Sequence, residues 1–251
     1  MKTSFILLLL FLGSYLQSQT LFDLVVRNDL KAVKEYEGAV NLRDENEATP
    51  LMWAAYASDF RIFKRLVKKG ADTGMKGWIL HRDTIHNYEF IYGSNMAIAA
   101  GESNIKLLKY LIRKCHTQID DREVNLYENR ENGWTALHWA AVRGNEKVAR
   151  YLIRKGADID ARAKTDFNQT PLILAINFDQ TEMARLLIRK GADCNLGDMY
   201  GISVLTYAFE SESRELIKLL LENGAEFNSI EKKTVPEQLQ EIFGISDPTD
   251  L

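Results

Sequence analysis

Two cysteines, four histidines and no apolar run long enough to cross a bilayer set the first limits on this 251-residue chain. Two cysteines cannot staple a disulfide scaffold, and neither Cys115 nor Cys194 stands in a context that argues for catalysis. There is no glycine-rich phosphate loop, no nucleophile paired with a base in a recognisable order, and no quartet of metal ligands. Charge of one sign is missing too. The formal net charge is −3, and Lys and Arg alternate with Asp and Glu rather than forming blocks. That removes the electrostatic footprint expected of a nucleic-acid or anionic-membrane binder. With no low-complexity segment, the composition is that of a globular protein.

The longest apolar run is at the N-terminus. Lys2 precedes Phe5 to Leu12, which is followed by Gly13-Ser14-Tyr15-Leu16-Gln17-Ser18. A positive start, a short apolar stretch and a small, polar end read as a secretory signal peptide over 1–18, with cleavage after Ser18. The run falls short of the ~20 residues a spanning helix requires. The expected location is therefore exported, periplasmic or secreted, with no stable membrane insertion after cleavage.

What the chain does have is one phrase written five times. Thr135 to Asp158 reads TALHWAAVRGNEKVARYLIRKGAD. TPLILAINFDQTEMARLLIRKGAD follows from Thr170, and TPLMWAAYASDFRIFKRLVKKGAD precedes it from Thr49. Looser copies begin at Ser94 and Ser203. In each, a Ser or Thr is placed to cap a helix N-terminus, and Pro50 and Pro171 occupy the first helical position, where no N–H is missed. Leu137, Ala140 and Ala141 make an apolar stripe on a short first helix, and Val148, Leu152 and Ile153 mark the inner face of a second. Arg154-Lys155 and Arg189-Lys190 complement the negative helix end. Gly70, Gly156, Gly191 and Gly224 then end the helix in a left-handed conformation, and Cys115 in that place is expected to be mildly strained. A period in the thirties marks stacked units that cannot bury their apolar faces alone. Helix pairs packed about 10 Å apart put Cys115 and Cys194, two units apart, at roughly 20 Å, beyond the ~7 Å of a disulfide.

The openings Thr-Pro-Leu-x-x-Ala at Thr49 and Thr170 and Thr-Ala-Leu-His-x-Ala at Thr135, with Gly-Ala-Asp closing at Gly70, Gly156 and Gly191, resemble the ankyrin-repeat family. The resemblance covers essentially all of the chain beyond residue 18. It implies an all-α solenoid of about six helix-turn-helix units with hairpin-like projecting loops. It also implies that His138 hydrogen-bonds between adjacent loops and that the hairpin side belongs to a binding surface. Leu21 to Val26 and Leu30 to Tyr36 form an N-terminal capping repeat over 19–48, repeats fill 49–230, and a short C-terminal capping helix lies within 231–251, opened by Thr234 and Pro236.

The repeat is broken by two insertions, at 73–93 and 118–134. The first carries Trp78, His81, His86, Tyr88 and Tyr92. Its aromatics are suited to anchor a partner; in the alternative, Trp78, Ile79, Ile85, Phe90 and Ile91 pack an enlarged hairpin on its own repeats. His81-Arg82-Asp83 is similar to a kinase catalytic loop, but Tyr88 stands where the metal-binding Asn belongs. His81, His86, Asp83 and Glu89 match no standard zinc spacing. Asn168-Gln169-Thr170 matches a glycosylation acceptor, but Thr170 is needed as a helix cap.

Aligned repeats expose Tyr56, Trp134, Arg143, Phe167, Phe178, Met199, Tyr200 and Ile202 at the variable positions. The expectation is non-catalytic protein binding through the concave and hairpin face by a monomer without cofactor or metal. Its candidate contacts are Tyr56, Trp78, Tyr88, Tyr92, Trp134, Arg143, Phe178 and Tyr200. An inhibitor or immunity-type protein acting on an exported enzyme is a specific variant. An enzyme built on the 73–93 loop, or a dimer linked through Cys115 or Cys194, are readings from other classes.

Overall fold

The computed structural model describes residues 20–83, 88–122, 133–163, 167–211 and 213–226, with the strand residues 80–83 and 88–91 described by backbone alone. The predicted signal peptide, the centres of both insertions (including His86) and the predicted C-terminal cap lie outside the described residues. Contacts divide the chain into two compact units, Met1–Ile98 and Ala99–Leu251, with the division falling inside one helix, α5 (Asn95–Gly101).

In the first unit, α1 (Leu21–Val26) and α2 (Leu30–Glu35) precede α3 (Pro50–Tyr56) and α4 (Phe60–Lys68). The Thr20 N–H donates to Asp23, whose own N–H donates to the Thr20 hydroxyl, so two backbone donors at the start of α1 are satisfied reciprocally. Asp29, Thr49 and Asp59 cap the next three helices. α1 packs on α3 and α2 on α4, burying Leu21, Val33, Leu51, Met52, Ile62, Phe63 and Leu66.

The first insertion forms a two-stranded antiparallel hairpin, β1 (Ile79–Asp83) with β2 (Tyr88–Tyr92), so the otherwise helical chain carries one small sheet among the described residues. Ile79 pairs with Tyr92 at its base, and both side chains are buried. Gly77 leads into it where a Cβ would sit 2.1 Å from the Glu47 carbonyl oxygen. Only glycine allows that backbone-on-backbone approach, which the Trp78 N–H fixes by donating to Asn46 O at 2.9 Å.

In the second unit, α6 (Ile105–Lys114) is followed by three helix pairs: α7 (Ala136–Val142) with α8 (Glu146–Arg154), α9 (Pro171–Asn177) with α10 (Thr181–Arg189), and α11 (Val204–Glu210) with α12 (Arg214–Glu222). First helices contact first helices, α7 to α9 to α11, and second helices follow suit, α8 to α10 to α12. Five helix pairs, with α5 and α6 between the second and third in sequence, are thus present among the described residues. Leu137, Leu152, Leu172, Leu187, Leu205 and Leu220 are all buried at the positions the phrase marks as apolar or at their equivalents.

Gly156, Gly191 and Gly224 adopt φ of 91°, 87° and 81°, as a helix-ending glycine should. Cys115 does not. It stays right-handed at φ −96°, α6 runs to Lys114, and the left-handed residue is His116 at φ 55°. The strain expected at Cys115 is moved one residue on, to a side-chain type that tolerates it better.

Four junctions between neighbouring repeats are each tied by a single side chain. Asn195 accepts from the Glu226 N–H at 2.8 Å and donates to Gly224 O at 2.9 Å, and in the first unit Asn41 does the same toward Asp72 and Gly70. At the equivalent positions stand Asp120, accepting from the Asp158 N–H, and Asp160, accepting from the Asp193 N–H. A carboxylate has no donor for the neighbouring carbonyl. Burial raises the pKa of Asp160, and the Asp193 and Asp158 charges add to it. A raised carboxyl pKa disfavours the folded state at neutral pH and ceases to do so as pH falls through the raised value. Asp160→Asn is therefore expected to stabilise the protein at pH 7 by about 0.5–1 kcal/mol, with a smaller gain in acid. Urea unfolding at both pH values checks this; destabilisation at pH 7 would contradict it.

Candidate protein-binding surfaces

The hairpin tips of the second unit are braced from beneath. Asp198, itself buried, accepts from the Tyr200 and Ile202 N–H groups at 2.9 Å each and from the Tyr207 hydroxyl at 3.0 Å. Gly201 makes the turn at φ 76°. Asp44 repeats the device in the first unit, accepting from the Asn46 and Ala48 N–H groups and from the Trp53 indole at 2.7 Å. An aspartate in the loop thus meets an aromatic donor nine residues later on the next first helix. Arg162 spans two neighbouring loops, donating to Asn168 O and Gly197 O, and Arg122 does likewise toward Gly133 O and Arg162 O. The described parts of neighbouring loops thus hold one another, which leaves them little freedom to lose on binding.

His138 lies at the centre of this bracing. The Thr135 N–H donates to its Nδ1 at 3.0 Å, so the ring proton sits on Nε2, which donates to Gln169 O at 3.3 Å. The ring is fully buried. That burial pushes its pKa down to about 4, and the Arg122 guanidinium adds to the effect. A neutral imidazole with both nitrogens engaged is a structural bridge, in keeping with the expectation for this residue.

Two aromatic side chains of the described tips and one apolar neighbour decide where a surface exists. Tyr200, Met199 and Phe167 are 65%, 55% and 52% exposed, and they make up all but one of the large exposed hydrophobics among the described residues. They are held together. The Met199 N–H donates to Phe167 O at 3.0 Å, and the Phe167 and Tyr200 rings meet edge-on at 6.1 Å. Tyr200 belongs to the candidate contacts named from the sequence, whereas Phe167 and Met199 stand only among the variable positions. What the sequence did not show is that two separate loops bring the three into one patch.

The other candidates separate. Tyr92 is fully buried at the hairpin base and is not available to a partner, which corrects that expectation: Ile79 and Tyr92 form the cross-strand pair that faces the repeats. Trp134 is half-buried, with its ring 4.8 Å from Trp139 and stacked near His138 at 6.3 Å, so it serves packing. Tyr56 is half-buried against Trp53 at 6.1 Å, edge-on. Trp78, Arg143 and Phe178 are also half-buried. For Tyr88 the structure gives the strand position opposite Asp83 and no more. Cys194 is buried and its thiol is pushed up to about 11 by burial and by Asp193 and Asp160, which ill suits it to an intermolecular disulfide. Thr170 is buried and caps α9, the role that its place at the start of the repeating phrase gives it.

Comparison with known proteins agrees with the geometry. Residues 80–163 and 160–231 match the family described as Ankyrin repeats (3 copies), and residues 46–78 match Ankyrin repeat. The chain belongs to the ankyrin-repeat family. Among curated relatives, Ankyrin repeat and SAM domain-containing protein 6 of Mus musculus is 38% identical over 88 residues, 35% of this chain and 9% of that protein. Ankyrin repeat and SOCS box protein 3 of Homo sapiens is 29% identical over 198 residues, 77% of this chain and 32% of that one. The chain therefore spans a third or less of the length of these relatives. A solved ankyrin repeat domain from Acinetobacter baumannii AYE superposes with a TM-score of 0.61 at 27% identity, covering 82% of this chain and 98% of that one. Ankyrin repeats make the chain a protein–protein interaction module of a fold that is in general non-catalytic. No described helix is long and apolar enough to cross a membrane.

Proposed function

We propose that this protein is a non-catalytic, exported ankyrin-repeat module that captures a partner protein through the hairpin tips of its second unit. The observation that carries this reading is the exposed patch of Phe167, Met199 and Tyr200. Isolated exposed apolar residues are ordinary, but a contiguous set on braced loops calls for an occupant. Aromatic side chains on rigid loops bury a large area at small entropic cost, as interface anchors do. The partner it fits is a folded protein with an apolar pocket wide enough for two edge-on rings. Export rests on the N-terminal sequence alone, Lys2 followed by Phe5 to Leu12.

The test is affinity capture from the exported fraction with the wild type and with Phe167→Ala/Tyr200→Ala. Because both side chains are largely exposed, the double variant should unfold within about 0.5 kcal/mol of the wild type. It should also lose the captured partner. Undiminished capture by a folded double variant would move the interface elsewhere.

A further inference from the structure

The second helices α6 and α8 enclose a cleft of about 440 Å³ lined by Lys109, Arg113, Tyr151, Arg154 and Lys155. Four of the five are cations, and among the described residues no acid lines it. Lys109 and Arg113 are four residues apart on one face of α6; Tyr151 and Arg154 fall at i and i+3 on α8, and Lys155 is its C-cap. Among the described residues none of these cations is in an ion pair. Basic residues in the last helical turn are explained by the helix dipole, which accounts for Arg113 and Arg154. It does not account for Lys109, which lies mid-helix with its Nζ 5.7 Å from the Tyr151 ring centroid.

Tyr151 is the second anomaly. It is 5% exposed, and its hydroxyl has no hydrogen-bond partner. Its equivalents in α10 and α12 are Leu186 and Leu219, which ask for no partner. A buried, unpaired donor costs stability and calls for a reason. The corresponding gap between α10 and α12 shows the contrast: there Arg185 is paired with Glu215 and Glu182, so that cation is compensated within the fold. Where α12 has Glu215, α8 has Lys147. On a chain whose net charge is −3, the α6–α8 cleft is, among the described residues, a local concentration of unpaired positive charge beside an unsatisfied hydroxyl.

We propose that this cleft is a binding site for a multiply charged phosphate-class oxyanion. Arg113 and Arg154 offer planar forks to its oxygens, Lys109 and Lys155 offer point charges, and the Tyr151 hydroxyl donates to one oxygen. The volume exceeds a single phosphate, so a diphosphate-sized group is the fitting occupant, either free in solution or as the phosphate of a lipid headgroup.

Titration of the full-length protein with inorganic pyrophosphate by calorimetry tests the site, alongside co-sedimentation with phosphatidylcholine vesicles containing phosphatidic acid. The wild type should bind at least one of the two, more weakly as salt is raised. Binding to pyrophosphate alone assigns a soluble ligand, and binding to vesicles assigns a headgroup. In either arm Tyr151→Phe should weaken binding about tenfold, the loss of one hydrogen bond to a charged group. The same variant should be no less stable than the wild type, since the hydroxyl it removes is unpaired. Lys109→Gln/Arg113→Gln should abolish binding, and Arg189→Gln/Lys190→Gln at the end of α10 should leave it unchanged. Absence of binding in both arms up to about 5 mM pyrophosphate, weaker than any useful affinity, would overturn the proposal. So would Tyr151→Phe and Lys109→Gln/Arg113→Gln variants that bind like the wild type.

Discussion

Lowering the pH from 7 to 4 is expected to remove about 3 kcal/mol of unfolding free energy from the second unit, through His138 alone. Its folded-state pKa of about 4 lies below the ordinary 6.5 because the ring is fully buried and both nitrogens are committed as a neutral imidazole. At about 1.36 kcal/mol per pKa unit, that difference sets the magnitude. The unfolded chain binds the proton first, so the contribution is complete above pH 6.5 and is lost as pH falls toward 4. Asp120 and Asp160 act in the opposite sense at the acid end, since burial raises their pKa values and their protonation in the folded state relieves a penalty. The net loss below pH 5 is therefore partly offset. His138→Gln keeps an acceptor for the Thr135 N–H and has no titrating ring. Denaturant unfolding as a function of pH should show the slope between 6.5 and 4 in the wild type and its absence in His138→Gln. A slope that survives the substitution would contradict the assignment.

Trp139→Ala should cost about 3–5 kcal/mol, the usual result of deleting a fully packed aromatic. Trp139 is almost completely buried in α7 and carries the Trp134 ring against it at 4.8 Å. Trp134→Ala should cost less, about 1–2 kcal/mol, because Trp134 is only half-buried. The pair distinguishes a packing role for Trp134 from the partner contact its place in the sequence suggested. If Trp134→Ala is neutral for stability yet weakens partner binding, the residue belongs to the interface after all. Thermal and urea unfolding of both variants supply the comparison.

The repeating phrase made the helices legible because every copy carries its own start, stripe and stop. Thr49, Thr135, Thr170 and Ser203 stand at helix starts as read, and the N-terminal pair at Leu21–Val26 and Leu30–Glu35 was visible from rhythm without the full phrase. The inserted hairpin was legible as an insertion but not in its facing. In a strand pair alternate residues point to opposite sides, and which parity faces the core depends on where the chain enters, here on Gly77 packed over Glu47. Tyr92, a candidate contact by sequence, is therefore buried at the hairpin base. The Asp-to-aromatic brace is written twice, as Asp44 with Trp53 and Asp198 with Tyr207, and its nine-residue spacing is the sequence signal for it. The patch of Phe167 with Met199 and Tyr200 could not be read from one chain of letters. It depends on two loops some thirty residues apart being clamped together by Arg162 and by the Met199 N–H.

The central claim, that these tips are the binding surface, is tested most directly by the dissociation constant of the captured partner. It should be measured for the wild type and for Phe167→Ala, Tyr200→Ala and the double variant. Each single substitution is expected to weaken binding about thirtyfold, the loss of roughly 2 kcal/mol that central aromatic anchors carry, with folding unchanged. Dissociation constants that stay within twofold of the wild type in the folded double variant would place the interface elsewhere on the protein.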